Sequence, residues 1–571
     1  ARKLVAMKSP ELVFFVHGFN NPEETVLRQV VQTHQVIVAD PAINQRDVVF
    51  IGYRWPSERM LSIGRTTLRA APDTVRALIG FWFVLLVIGI VLGARLALIH
   101  HSWGAPDEIA FVIWSVLFPF IFAMPAGPAI LRAVVYFRDG YRATNYGVPD
   151  FVDFIRDLDA QLTACAGQNA APCVRLSFIA HSMGSLVVTN IVRILSNAFG
   201  FAVPQAATER AAAGEQPDLN SQAANDRNSP TPGDIGQHFR LGRLVLASPD
   251  IPNETLMSSR NNFLKSSLRR FEEAYLFSNE GDEVLHLVST LANYFSFPTS
   301  QHNYGYRLGN VAVHSELKEG KPEYGIINLP ELEALGSLDI RSLSPDALQD
   351  LIQKLERHTR WVAERLCFDR ISLYDYRARR AISRTASLPN HKPKATTASH
   401  LSQATDSESI IDPLEVMQFH MYFTYFDCTD YRDVKECLVN DQSGTNGHLE
   451  ETSPARGLLT RAKRKPILRW WDHVLLLIQY VTGIPYDLNV HGGYFEGCES
   501  QRLIYRLACL GWTGLLDTVI KEAKSKDSNT PSDDPRQQAM RILSNTCCDH
   551  GIQVLLSPKH YASARAKDPV S

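Results

Sequence analysis

Apolar positions along this chain gather into runs of two lengths, and the lengths separate the elements. Leu12–Val16 (LVFFV) has the pattern of a strand buried on both faces, and Val174–Ala180 is a second, mostly apolar strand-like run. Ser185–Leu195 carries on from that run as a helix, and Phe419–Tyr425 alternates as a strand does. Leu332–Arg379 reads as helical: Pro345-Asp346-Ala347-Leu348 has the form of a helix start, and Leu351, Leu355, Trp361, Val362 and Leu366 supply a core-packing stripe.

Two runs are much longer. Ala77–Ala94 spans 18 residues and Ile109–Leu131 spans 23, and neither holds a charge. A hydrocarbon core about 30 Å thick takes roughly 20 helical residues, so each run can cross a bilayer. The short His100–Glu108 connection joins them into a predicted transmembrane hairpin over 77–131, its second helix kinked by Pro119, Pro125 and Pro128. Arg59, Arg65, Arg69 and Arg76 precede it, and Arg132, Arg138 and Arg142 follow it. The connecting loop carries Asp107 and Glu108, and Arg95 at that end has to snorkel. Basic flanks mark the cytoplasmic side, so the expectation is a multi-pass membrane protein whose body and both termini face the cytoplasm. No apolar signal stretch stands ahead of the first strand, which agrees with that placement.

A further segment, Arg461–Tyr480, joins R-A-K-R-K to Trp470, Trp471 and an apolar helix. It suits either the membrane interface, with Arg461, Lys463, Arg464 and Lys465 meeting lipid phosphates, or a cap over the body. Residues 204–237, 380–408, 440–455 and 524–536 and the C-terminal tail are polar and read as mobile insertions. Charge is nearly balanced, 58 Lys plus Arg against 60 Asp plus Glu, so no nucleic-acid partner is expected. Nine cysteines are sparse for this length and read as free thiols of a reducing compartment, although Cys165 and Cys173 are spaced to pair across a short loop. Cys547-Cys548-Asp549-His550 lacks a second ligand pair at zinc spacing, so neither a metal nor another cofactor is expected.

Chemistry enters between the strand-like run and the helix that follows it. Residues 177–186 read S-F-I-A-H-S-M-G-S-L, which sets Ser182 on a tight strand-to-helix turn. That is the nucleophile elbow of α/β-hydrolases, G-x-S-x-G, with Ala180 in place of the first glycine and Gly184 retained. Leu12–Val16 ends in His17-Gly18-Phe19-Asn20, and an H-G-x turn after an early strand supplies one oxyanion-hole donor in those enzymes. The donors here are the backbone N–H groups of Phe19 and Met183, and His17 is expected to orient the turn rather than act as a base.

With G-Y-R-W-P-S at 52–57, L-V-L-A-S-P-D-I at 244–251 and A-Y-L-F-S-N-E-G-D at 274–282, these motifs resemble an uncharacterised α/β-hydrolase family. Its members open with V-H-G-[FY]-N and carry W-P-S after the next strand. The resemblance covers roughly half the chain, in pieces, and implies a doubly wound, mostly parallel sheet interrupted by the hairpin and by helical or mobile insertions. It also implies triad members in the order Ser, acid, His. Asp250 and Asp282 compete for the acid; the superfamily's later loop favours Asp282. For the base, His286, His302, His314, His420, His473 and His491 come late enough, and the family's H-x-x-[YF] loop before its final helix matches His491-Gly492-Gly493-Tyr494 before Ser500–Leu515. His420 is the alternative.

The expected layout is a first hydrolase part in 1–76, the hairpin in 77–131, and elbow and acid loop in 132–320. A helical insertion follows in 321–415, then last strand, cap, histidine loop and final helix in 416–522, and a flexible region in 523–571. The expected activity is that of a membrane-anchored serine hydrolase cleaving carboxylic esters, lipid or acyl esters among them. A non-catalytic scaffold built on the same fold is the alternative.

Overall fold

The computed structural model describes residues 1–57, 134–167, 172–198, 238–252, 270–289, 307–313, 323–332, 423–432, 489–526 and 534–565, apart from single positions such as 20 and 283, and scattered positions elsewhere. In chain order the strands are β1 (Glu11–Val16), β2 (Val48–Tyr53), β3 (Val174–His181), β4 (Asp234–Ile235), β5 (Phe239–Ala247), β6 (Glu273–Ser278), β7 (Ala312–Val313), β8 (Gly325–Ile326), β9 (Leu366–Cys367), β10 (Phe423–Asp427) and β11 (Gln553–Leu555). The helices are α1 (Arg2–Val5), α2 (Glu23–Ala39), α3 (Pro41–Asn44), α4 (Val148–Ala166), α5 (Met183–Ala198), α6 (Cys498–Lys526), α7 (Pro535–Asp549) and α8 (Pro558–Arg565).

Nine of these strands form one sheet, in the order β2-β1-β3-β5-β6-β10-β11-β8, with β4 beside β5; β7 and β9 pair separately. All pairings from β2 to β10 along that order are parallel, whereas β11 runs antiparallel to β10. The fold is therefore α/β with a mostly parallel sheet. Helices cover both faces, which explains why β1 is apolar from Leu12 to Val16. Leu12, Phe14 and Val16 pack on one side with Phe151, Val187 and Ile191 of α4 and α5. Val13 and Phe15 pack on the other with Leu507, Trp512 and Met540 of α6 and α7.

From β1 the chain steps outward to β2 and then returns to lay β3 on β1's other side. That reversal makes the C-terminal end of β1 a switch point in the strand order, the place at which α/β sheets bind ligands.

Several expectations need correction. The helix expected at 500–515 runs from Cys498 to Lys526, kinks at Gly511 (φ 74°), and is followed by α7, β11 and α8. Residues 535–565 are thus built into the core rather than flexible: Val554 and Leu555 are buried, and β11 joins β10 to β8. Cys498 is disulfide-bonded, against the expectation of free thiols, while Cys165, Cys173, Cys428, Cys509, Cys547 and Cys548 are not in disulfides. Arg138, counted as a basic membrane flank, is buried and paired with Asp139 (2.8 Å), so it presents no charge to a lipid surface.

One helix among the described residues, Cys498–Lys524, is long and apolar enough to cross a membrane, but 83% of its apolar window is buried in the fold, as in a core helix. Within Ala77–Ala94 the described positions are helical, and Phe81, Phe83, Val84, Val87, Ile88 and Val91 are exposed. Ile109–Leu131, most of the insertions at 204–237 and 321–415, the segment Arg461–Tyr480, and His302, His314, His420 and His473 lie outside the described residues, as does the side chain of His286.

Candidate active site

The last residues of β1, β3, β5, β6 and β10 stand in parallel register, so the loops that follow them share one edge. Ser182 follows β3 directly and takes φ 54°, a left-handed conformation that costs a non-glycine residue about 1–2 kcal/mol. Backbone bonds to the neighbouring loop hold it there. The Ser182 N–H donates to Ala247 O (3.0 Å), and Ser182 O accepts from Asp250 N–H (3.1 Å). Helix α5 begins at the next residue, and its apolar stripe of Val187, Val188, Ile191, Val192 and Leu195 buries it against the sheet. Met183 is its first residue, and the first N–H groups of a helix have no partner within the helix.

The turn after β1 lies against this elbow. A Cβ on Gly18 would sit 2.9 Å from Ser182 Cβ and 3.4 Å from Ser182 Oγ, and a Cβ on Gly184 would sit 2.5 Å from the carbonyl oxygens of both Val16 and His17. Only glycine permits that approach. His17 stacks flat on Trp55 (5.0 Å, 4°), which also donates its indole N–H to His17 O (2.9 Å). Burial pushes the His17 pKa down to about 4, so the ring is neutral and its Nδ1–H donates to Gly18 O (2.7 Å).

Asp282 is fully buried just beyond β6. One carboxylate oxygen accepts the backbone N–H groups of Val284 (3.1 Å) and Leu285 (3.2 Å). The other accepts the Ser248 hydroxyl and His491 Nδ1–H (2.7 Å). That bond fixes the tautomer of His491 and leaves Nε2 with its lone pair. Burial lowers the His491 pKa, but the Asp282 charge, the hydrogen bond to it and the Asp250 charge together raise it above 6.5. The histidine loop is fastened to the acid loop through Asn279, which donates to Val490 O (2.9 Å). It is fastened to the elbow through His181, whose Nε2–H donates to His491 O (3.0 Å) with the two rings 4.9 Å apart. Burial, and then repulsion from His491, lowers the His181 pKa to about 3, so this neighbour stays neutral.

The structure therefore brings Ser182, Asp282, His491 and the Gly18–Phe19 turn to one place. Ser182 Oγ and His491 Nε2 are both buried and have no hydrogen-bond partner among the described residues, so the serine–imidazole bond is not made in this conformation. Asp250, the competing acid, is not hydrogen-bonded to the imidazole. It is buried, paired with Arg307 (3.2 Å), and accepts from the Ser289 hydroxyl (3.0 Å).

Sequence reasoning missed three side chains here. Ser248, at φ 47°, donates to the Asp282 carboxylate. Asn310 donates to the carbonyl oxygens of Asn279 (3.1 Å) and Asp282 (3.2 Å), and Arg307 balances Asp250. Of these only Ser248 carried a signal, as the Ser-Pro-Asp that closes an apolar strand. No group of three or more His, Cys, Asp or Glu residues able to hold a metal ion occurs among the described residues. No family model matches the chain, and neither a curated protein nor a solved structure is detectably similar to it.

Proposed function

We propose that this chain is a serine hydrolase of the α/β-hydrolase type acting on carboxylic esters. The observation that carries the reading is a buried, left-handed Ser182 with an unpartnered hydroxyl, beside a histidine whose tautomer Asp282 fixes. Ser182 Oγ attacks the ester carbonyl carbon while its proton passes to His491 Nε2. The N–H groups of Phe19 and Met183 hold the oxyanion. His491 returns the proton to the departing alcohol, leaving an acyl-serine, and water activated by the same imidazole releases the acid and restores the serine. In resting enzymes the serine–histidine bond is often long and tightens when substrate binds, which accommodates its absence here.

The missing bond is also what favours a non-catalytic scaffold. A fluorophosphonate probe separates the two readings: the purified protein takes the label and Ser182→Ala does not. A wild-type protein that stays unlabelled removes the hydrolase reading.

The same proposal sets the enzyme at a bilayer. A helix whose phenylalanine, valine and isoleucine side chains face outward, Phe81 at 62% and Val91 at 56% exposed, is matched to lipid rather than to water. Esters presented at that surface, lipid or acylated protein, are then the substrate class. The basic flanks favour a cytoplasmic body. The Cys498 disulfide favours the opposite face, because such bonds persist in oxidising compartments.

A further inference from the structure

The two stems of the apolar insert meet on the turn that carries the oxyanion donor. The incoming stem is the end of β2 and the W-P-S turn; the outgoing stem is the helical segment 134–142, which runs through a π-helical turn at Ala143–Gly147 into α4. On the first stem, Trp55 stacks on His17 and binds its carbonyl. Ser57, fully buried, accepts the backbone N–H of Asn21 (3.0 Å) and donates its own proton to Asp139 (2.9 Å) on the second stem. Asp139 in turn is held by Arg138, both of them buried. The second stem also reaches both proposed donor residues: the Tyr136 ring packs edge-on against Phe19 (5.9 Å), and a Cβ on Gly140 would lie 3.9 Å from Met183 Cε. Tyr53 O–H donates to Gly147 O (2.6 Å), and Trp55 Cβ fills the space a Gly147 side chain would need, so the stems are locked together behind the turn.

We propose that Ser57 and Asp139 are positioning residues for the oxyanion turn, and that through them the two stems of the apolar insert set the distance between the Phe19 N–H and Ser182. This rests on the serine-hydrolase reading. A hydroxyl that accepts from Asn21 while donating to a fixed carboxylate gives the His17–Asn21 turn one conformation. Without it Asn21 N–H is orphaned, and the turn that carries Phe19 is free to drift. An oxyanion donor acts only where charge develops, so a displaced donor weakens transition-state binding and leaves substrate binding nearly untouched.

The test compares full-length wild type, Ser57→Ala and Ser57→Thr on a short soluble nitrophenyl ester, with a trifluoromethyl ketone as tetrahedral analogue. Ser57→Ala is expected to lose tenfold or more in kcat, with KM within about twofold, and to bind the ketone weaker by the same factor. Ser57→Thr, which keeps the hydroxyl, recovers most of both. Where Ser57→Ala does not fold, Ser57→Cys, close in volume but a weak hydrogen-bonder, replaces it with the same expected pattern. Wild-type kcat and ketone affinity in the folded variant overturn the proposal, as does a loss confined to KM. The two ideas fail separately: an unlabelled wild type removes the hydrolase reading, whereas a labelled wild type with a fully active Ser57→Ala removes only this role for the clamp.

Discussion

His491 stands between opposing influences, and the balance sets the pH at which the proposed enzyme works. Burial favours the neutral ring, while Asp282 at 2.7 Å and the more distant Asp250 favour the cation and prevail. Because the base must be neutral to accept the serine proton, activity is expected to rise with pH through a limb above 6.5. His17 and His181, lowered to about 4 and about 3, stay neutral across that range and add no limb of their own. Asp282→Asn removes the charge that raises the pKa and leaves the burial that lowers it, so the limb is expected to move below pH 6.5. The rate above the limb is expected to fall by about 10⁴, since an amide also fails to hold the productive tautomer. The pH profile of kcat/KM measures both, and a variant limb that stays above 6.5 removes Asp282 as the partner that sets it.

At the level of elements, the site depends on how closely α5 approaches the end of β1. Gly184 makes that approach possible, since a methyl group there would stand 2.5 Å from two carbonyl oxygens that belong to backbone and cannot swing aside. Gly184→Ala is expected to push the His17–Phe19 turn off the serine, with at least a tenfold loss of kcat and a lower melting temperature. Unchanged values of both would show that the gap is looser than the geometry states. This contact was legible in the sequence, because an elbow and an H-G-x turn are local patterns whose residues sit next to one another in the chain. The same holds for β1, β3 and α5, and for His491, whose loop carries a short H-x-x-[YF] pattern ahead of a helix. What could not be read is non-local. Gln553-Val554-Leu555 is too short to announce a strand, and it pairs with β10 more than a hundred residues earlier. Asn310 and Arg307 carry no motif and matter only because the fold returns them to the acid loop. Arg138 was read from its distance to an apolar run, which says nothing of the aspartate beside it that takes it into the interior.

For the whole molecule, the question is whether the apolar insert belongs to the folded body or only hangs from it. Among the described residues, the sheet, both of its helical layers and the site are assembled from positions before 58 and after 133. Ser57 and Asp139 are joined by a hydrogen bond, so the two ends of the insert lie close enough to be bridged by a short linker. Meanwhile Phe81, Phe83, Val84, Val87, Ile88 and Val91 are exposed, and water imposes a cost of about 25 cal/mol per Å² of apolar surface that lipid does not. Replacing residues 60–132 by a flexible glycine–serine linker is therefore expected to leave a folded protein that still takes the fluorophosphonate label at Ser182. It should no longer float with liposomes, whereas the full chain should float and resist extraction by alkaline carbonate. A linker variant that stays with liposomes would move the membrane contact to another surface, while a full chain that carbonate extracts would end the spanning reading and make the insert a peripheral or protein-facing element. Turnover by the linker variant adds the second half of the answer. The stems on their own make every contact seen with the proposed oxyanion turn, so soluble-ester kcat is expected to survive in the linker variant, and a loss of kcat with the fold intact would show that the insert itself is needed.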